Sequence, residues 1–312
     1  MKNLVLSFEI VAPLLILMLL GAFLRKVKVF DDATVKKMNG SVFKVFLPAL
    51  IFNNIYKSSI DDIKNIDTAL YTALVIICAF ILSMIVVSFI EKDNRKRGAM
   101  VQGMCRSNFV IFGVPLCVSI CDEGILGKIS VAVAIVVPVL NVFSVIVLEV
   151  FRGGKPNFKK IIKGIATNPL IIASALGILT LVSGLKFPAI ISSSLNDVAK
   201  IATPLALVLL GASVNFGTLK GNLKQLFITV SGKLIIIPFV GIFIASMLGM
   251  RGGDIAILIA ALASPTAVSS YPMALQMDGD GELAAQIVAF GTTFCILTVF
   301  LWVFILKQAG II

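Results

Sequence analysis

The side chains with the most chemistry to offer fall in two short polar runs. One is Arg106, Ser107 and Asn108, followed by Gly113, Val114 and Pro115. The other is Ser264, Pro265 and Thr266, followed by Ser269, Ser270, Tyr271 and Pro272. A lone lysine, Lys233, interrupts a third stretch that is otherwise apolar. Guanidinium, amide and hydroxyl groups of this kind donate hydrogen bonds, and a carboxylate is the planar anion that an arginine fork matches. Covalent catalysis has little to work with. The chain has no histidine, which removes Ser-His-Asp and Cys-His nucleophile systems, His-Glu-x-x-His zinc sites and histidine-ligated haem. Its five cysteines (Cys78, Cys105, Cys117, Cys121 and Cys295) sit in apolar runs and form no Cys-x-x-Cys pair. They read as small apolar residues, neither a disulfide framework nor a metal site. The sequence predicts a binding protein with no cofactor and no metal, and not an enzyme.

The elements that must position these donors are membrane helices. The 312 residues are 59% hydrophobic and 14% charged, where a soluble domain carries about 25% charged residues, and the mean hydropathy is +1.06. Apolar runs bounded by charge or turn clusters predict ten spans of ~17 to 25 residues. They lie at about 5–24, 38–56, 68–90, 98–120, 128–151, 161–183, 189–215, 223–249, 254–276 and 282–306. The first run has a charged lead of only Lys2, is long for a signal sequence and lacks a small-x-small cleavage site, so it is expected to be retained. Lys and Arg number sixteen in the odd-numbered loops and seven on the other side with both termini. The positive-inside rule therefore predicts a multi-pass protein of the cytoplasmic membrane with both termini outside. The net charge of +11 is read as this orientation signal, with anionic lipid as a minor alternative and no nucleic-acid partner.

The chain also repeats itself. Pro13, Leu14, Ile16 and Gly21 recur 156 residues later as Pro169, Leu170, Ile172 and Gly177, and Val42, Lys44 and Pro48 as Val198, Lys200 and Pro204. At 157, Pro115 falls on Pro272 and Gly124 on Gly281. The expected halves are 1–156 and 157–312. Five helices in each half put the copies in opposite orientations, the inverted-repeat plan of secondary transporters, although a duplicated structural protein would show the same period. Asp278-Gly279-Asp280-Gly281-Glu282 mimics part of a calcium loop but takes the repeat position of Asp122-Glu123-Gly124, and both read as turns.

Pro13 and Pro169 lie in or near the first turns of their spans, with Asn168 as a cap, and Pro48 and Pro204 read as packing kinks. Pro115 and Pro272 differ because polar residues gather before them, so helices four and nine are the expected discontinuous pair, with orphaned carbonyls at Ile111 and Val268. The alternative is a plain kink filled by Ser and Thr back-bonding. Arg106 and Lys233 break the repeat, each costing ~3 kcal/mol at a helix centre unless it meets a wet cavity or a partner. Arg106 either faces such a cavity or snorkels to the cytoplasm, and Lys44 and Lys200 read as snorkelling scaffold residues. The acidic residues in or bordering the spans (Glu9, Glu149, Asp197, Asp254 and Glu282) lie toward helix ends, which favours an anion-handling site over cation antiport.

Several motifs together resemble the auxin efflux carrier family, which includes the plant PIN-formed carriers and bacterial malate and malonate permeases. They are Leu47-Pro48-Ala49-Leu50-Ile51-Phe52, Ala202-Thr203-Pro204-Leu205-Ala206-Leu207 with Gly211-Ala212, Asn108 with Gly113-Val114-Pro115-Leu116, and Pro265 with Pro272. The resemblance spans the chain. It implies an all-α membrane fold like that of bile-acid transporters and sodium/proton antiporters, with helices four and nine crossing at Pro115 and Pro272. It further implies a dimerising scaffold of helices one, two, six and seven, a moving transport domain of the others, and Asn108 at the substrate carboxylate. The long cytoplasmic loop of the plant carriers is missing. The expected function is alternating-access transport of a small organic anion such as malate, malonate or an auxin-like acid. The expected site comprises Arg106, Ser107, Asn108, Gly113, Val114, Pro115, Ser269, Ser270, Tyr271, Pro272 and Lys233. Sodium-coupled uptake and a non-transporting membrane sensor are the competing expectations.

Overall fold

A computed structural model describes residues 2–58, 66–121, 125–152, 158–213 and 219–312, and the regular elements among them are all helices. In chain order these are α1 (Lys2–Lys26), α2 (Asp32–Ser41), α3 (Leu47–Tyr56), α4 (Ile66–Ile90), α5 (Asn94–Cys105), α6 (Val114–Cys121), α7 (Leu126–Val150) and α8 (Phe158–Ala166). They continue as α9 (Pro169–Ser183), α10 (Ala189–Ser213), α11 (Leu219–Ser231), α12 (Ile237–Met247), α13 (Gly253–Leu258), α14 (Ser270–Gln276) and α15 (Gly281–Gln308). The turn at Asp122-Glu123-Gly124 and the loop residues Lys64 and Lys155 lie outside the described residues, and of Lys2, Glu9, Lys159, Lys160 and Lys220 only the backbone or less is described.

Four π-helical turns interrupt this order: Val42–Phe46, Phe109–Gly113, Gly232–Ile236 and Ile259–Ala263. All four end two residues before a proline, at Pro48, Pro115, Pro238 and Pro265, and past the first three the helix continues. A proline ring pushes away the carbonyl four residues back and supplies no N–H of its own. The chain answers by widening one turn, so that Leu47 N–H reaches the Val42 carbonyl, Val114 N–H reaches Phe109 and Ile237 N–H reaches Gly232. These residues absorb the proline inside a continuous rod instead of breaking it. The π turn Val42–Phe46 thereby joins α2 to α3, and Gly232–Ile236 joins α11 to α12.

Caps set several ends. Asp31 Oδ1 accepts from Thr34 N–H at 2.7 Å, so the second span begins earlier than its apolar run, at Asp32. Asn168 Oδ1 accepts from Leu170 N–H at 2.9 Å, with Pro169 opening α9; such a cap is worth about 1 kcal/mol. That cap divides the stretch expected as one span at 161–183 into α8 and α9. Pro13 lies inside α1 rather than in its first turn.

Among the described residues, five helical stretches are long and apolar enough to cross a bilayer: 66–90, 126–150, 189–213, 221–247 and 281–308. Their outer faces carry large exposed apolar side chains, Phe89, Phe227 and Met247 among them, as lipid-facing helices do. Inside, α1 packs along α10 and α3 along α9. The first pair meets where a Cβ on Gly21 would lie 1.8 Å from the Val208 carbonyl oxygen, and one on Gly211 would lie 1.9 Å from that of Met18. Only glycine at both positions lets the two backbones touch, the small-residue packing that holds helices together in lipid.

Candidate functional site

Two helical rods are genuinely broken, and the breaks meet. The first runs from α5 through extended residues Arg106 and Ser107 to Asn108, then into the π turn Phe109–Gly113 and α6. The second runs from α13 and the π turn Ile259–Ala263 through residues 264–269 into α14. Ser107 and Thr266 form an antiparallel bridge, in which Asn108 N–H donates to the Pro265 carbonyl at 2.9 Å and Ala267 N–H to that of Arg106 at 3.3 Å. Thr266 Oγ1 adds a bond to the Gly103 carbonyl at 2.7 Å. In lipid, backbone groups freed by a break need partners within the protein, and each break supplies them to the other. The interruption therefore lies upstream of Pro115 and Pro272. Pro115 sits in the first turn of α6 behind its π turn, and Pro272 in the first turn of α14. The carbonyl of Val268, expected to be orphaned, accepts from Tyr271 N–H at 3.3 Å.

Arg106 is the charged side chain between the two breaks. It is 4% exposed, and its Nη2 donates to Asn141 Oδ1 at 2.7 Å and to Ser269 Oγ at 2.9 Å. Its Nε and Nη1 have no partner, nor do the nearby buried Ser107 Oγ and Asn108 Nδ2. These residues line a cavity of about 70 Å³, room for a few waters or a carboxylate head group. Asn54 of α3, Asn141 of α7 and Thr203 of α10 complete its polar wall, and among its described lining residues Arg106 alone is charged. Arg106 does not snorkel: it is tied by Asn141 and Ser269 inside the protein. The N-terminus of the half-helix that begins at Phe109 also faces this cavity through Phe109, Val110 and Ile111, and the first N–H groups of a helix carry partial positive charge.

The remaining expected site residues have other surroundings. Gly113 is a contact point between the broken helices, since a Cβ there would meet the Ala260 carbonyl oxygen at 2.5 Å. Val114 borders a second cavity instead of the first. Ser270 is buried, with no hydrogen-bond partner for its hydroxyl. Tyr271 points away from the cavity, where its hydroxyl accepts from Asn39 Nδ2 at 3.0 Å and shares a short hydrogen bond with Ser213. Lys233, 1% exposed, lies in Coulombic range of Cys105 and Cys295. Cys105 ends α5, and Cys295 Sγ contacts the carbonyl of Ala263, which ends the π turn before the other break. Asn54, Asn141 and Thr203 were not singled out by sequence, although the two asparagines are visible as amides within apolar helices.

This arrangement, two broken helices crossing at a buried basic pocket within a bundle of apolar helices, is the plan of a membrane carrier. Comparison of the chain with known proteins agrees. Residues 6–160 and 154–303 match the family described as membrane transport protein, and the chain belongs to that family, as the resemblance to the auxin efflux carriers anticipated. It is similar to an uncharacterized transporter of Methanocaldococcus jannaschii, 25% identical over 96% of this chain and 98% of that protein. An uncharacterized transporter of Methanothermobacter thermautotrophicus is 23% identical over 95% of this chain and 97% of its own length.

Proposed function

We propose that this membrane transporter is a secondary carrier that moves a small organic anion by alternating access, binding its carboxylate at the crossing of the two broken helices. The observation that carries the reading is the buried Arg106, whose Nε and Nη1 lack partners beside the equally unpartnered Asn108 Nδ2 and Ser107 Oγ. Leaving such donors dry costs several kcal/mol, and a carboxylate returns that cost by accepting from all of them. Transport, not catalysis, is the activity that fits a site built of donors without a nucleophile or base.

Ten spans in two inverted halves, 1–156 and 157–312, fit the element order if each broken or π-joined rod counts as one crossing and α8 lies along the membrane surface. The pairing of α1 with α10 and of α3 with α9 supports a scaffold of spans one, two, six and seven, which dimerises while the remaining helices slide past it as an elevator. The loop lysines and arginines support the cytoplasmic membrane with both termini outside.

The test is electrogenic current in proteoliposomes of the purified protein, with malate, malonate, citrate, lactate and indole-3-acetate, with and without sodium. A saturable current for one class of these anions, independent of sodium, is the expected result. Current that requires sodium would replace this reading with sodium-coupled symport, and binding without flux would replace it with a sensor.

A further inference from the structure

A second cavity, of about 180 Å³, adjoins the first, and Asn54 and Val110 line both. Its walls come from the end of α3 (Asn54, Lys57, Ser58), from Val114 of α6 and from α7, including Ser130. It leads from the Arg106 cavity to the end of the molecule where Lys57 is exposed.

Its polar groups are not equivalent. Ser58 and Ser130 spend their hydroxyl hydrogens on the carbonyls of Ile55 and Leu126, at 2.6 and 2.7 Å. Lys57 Nζ gives one hydrogen to Asn196 Oδ1 at 2.5 Å, and an ammonium has three. Asn196 Oδ1 also accepts from Asn53 Nδ2 at 3.3 Å, which anchors Lys57 to α10. Of the ion pairs among the described residues, none involves Lys57. Lys128, at the neighbouring start of α7, is by contrast neutralised by Asp254 at 2.5 Å. Among the described residues the cavity thus holds one cation, Lys57, without an ion-pair partner, a helical turn along α3 from the residue shared with the Arg106 cavity.

We propose that this second cavity is a docking vestibule in which Lys57 receives a carboxylate anion before it passes Asn54 and reaches Arg106. The inference rests on the organic-anion reading above and adds a binding step to it. An electropositive mouth with low-dielectric walls concentrates anions and accelerates their arrival, an effect that falls with ionic strength.

The test reads local charge without needing the substrate. Of the native cysteines, Cys78 is exposed and Cys121 partly so, while Cys105, Cys117 and Cys295 are buried. With Cys78→Ala and Cys121→Ser as background, Ser130→Cys places a thiol on the vestibule wall. Its rate of modification is compared between a methanethiosulfonate bearing a sulfonate and one bearing an ammonium. The sulfonate reagent is expected to react about tenfold faster relative to the ammonium reagent at low salt. Lys57→Gln abolishes that preference and Lys57→Arg keeps it. A preference unchanged by Lys57→Gln overturns the proposal, as does a parent preference for the cationic reagent. A Lys57-dependent preference in a protein that moves no anion in proteoliposomes would sink the transport reading and leave the vestibule standing.

Discussion

The backbone N–H of Asn108 donates to the carbonyl of Pro265 at 2.9 Å, so two chain breaks that are 157 residues apart in sequence satisfy one another. The crossing is a mutual cap. Thr266 reinforces it through its bond to the Gly103 carbonyl, and Thr266 is 1% exposed. Thr266→Val keeps the shape and loses that bond, which is expected to cost about 1 kcal/mol. A lowered melting temperature in detergent, with secondary structure intact, checks this.

Gly113 sets how closely the broken helices approach. A Cβ there would lie 2.5 Å from the Ala260 carbonyl oxygen, which is backbone and has little freedom to give way. Gly113→Ala should therefore destabilise by roughly 1–3 kcal/mol and widen the crossing. Its effect should exceed that of Gly221→Ala, where a Cβ meets nothing within 4 Å. Paired thermal denaturation curves decide the comparison.

Tyr271 ties α14 to α2 and α10, helices that the proposed elevator motion would separate from it. Its hydroxyl joins α14 to Asn39 of α2 and Ser213 of α10 in one buried cluster. Tyr271→Phe removes both bonds while keeping the ring, and at about 1–2 kcal/mol it should shift the balance away from this conformation by roughly tenfold. Spin-label distances between α2 and α14 should broaden toward a second population in the variant. A distribution identical to the parent's would show that the cluster does not hold the conformation.

Acid should loosen the loop after α4. Burial raises the proton affinity of Glu91, but the N–H groups of Asp93 and Lys92 and the Gln225 amide outweigh it and hold its carboxyl below its ordinary value of 4.5. The Glu91 oxygens accept these bonds at 2.6 to 2.9 Å. A carboxyl whose folded value is depressed stabilises the fold above its unfolded value, and that stability is lost as pH falls toward the folded one. Melting temperature should thus decline below about pH 4.5 more steeply in the parent than in Glu91→Gln.

Much of this architecture is legible in sequence because lipid makes its demands locally. Runs of apolar residues and the Asn168-Pro169 cap are each visible within a few positions of where they act. The two polar runs also mark the broken helices correctly. The place of the break is less legible. The prolines suggest Pro115 and Pro272, yet a π turn absorbs Pro115, and the backbone opens instead at Arg106 to Asn108 where Thr266 lies opposite. Partners across the fold are not legible at all. Nothing near Tyr271 in sequence announces Asn39 and Ser213, and nothing near Arg106 announces Asn141. Lys233 is found as a basic residue within an apolar run, but only the fold shows it to be fully buried.

Arg106 is proposed to hold the carboxylate of the transported anion. What tests it is the stabilisation of detergent-purified protein by malate, malonate, citrate, lactate or indole-3-acetate, as a shift in melting temperature, for the parent, Arg106→Lys, Arg106→Gln and Asn108→Ala. The parent should show a saturable upward shift, Arg106→Lys and Asn108→Ala a weaker affinity, and Arg106→Gln none, even at concentrations that saturate the parent. An Arg106→Gln protein that folds and is stabilised by the same anion at the same concentration would contradict the account.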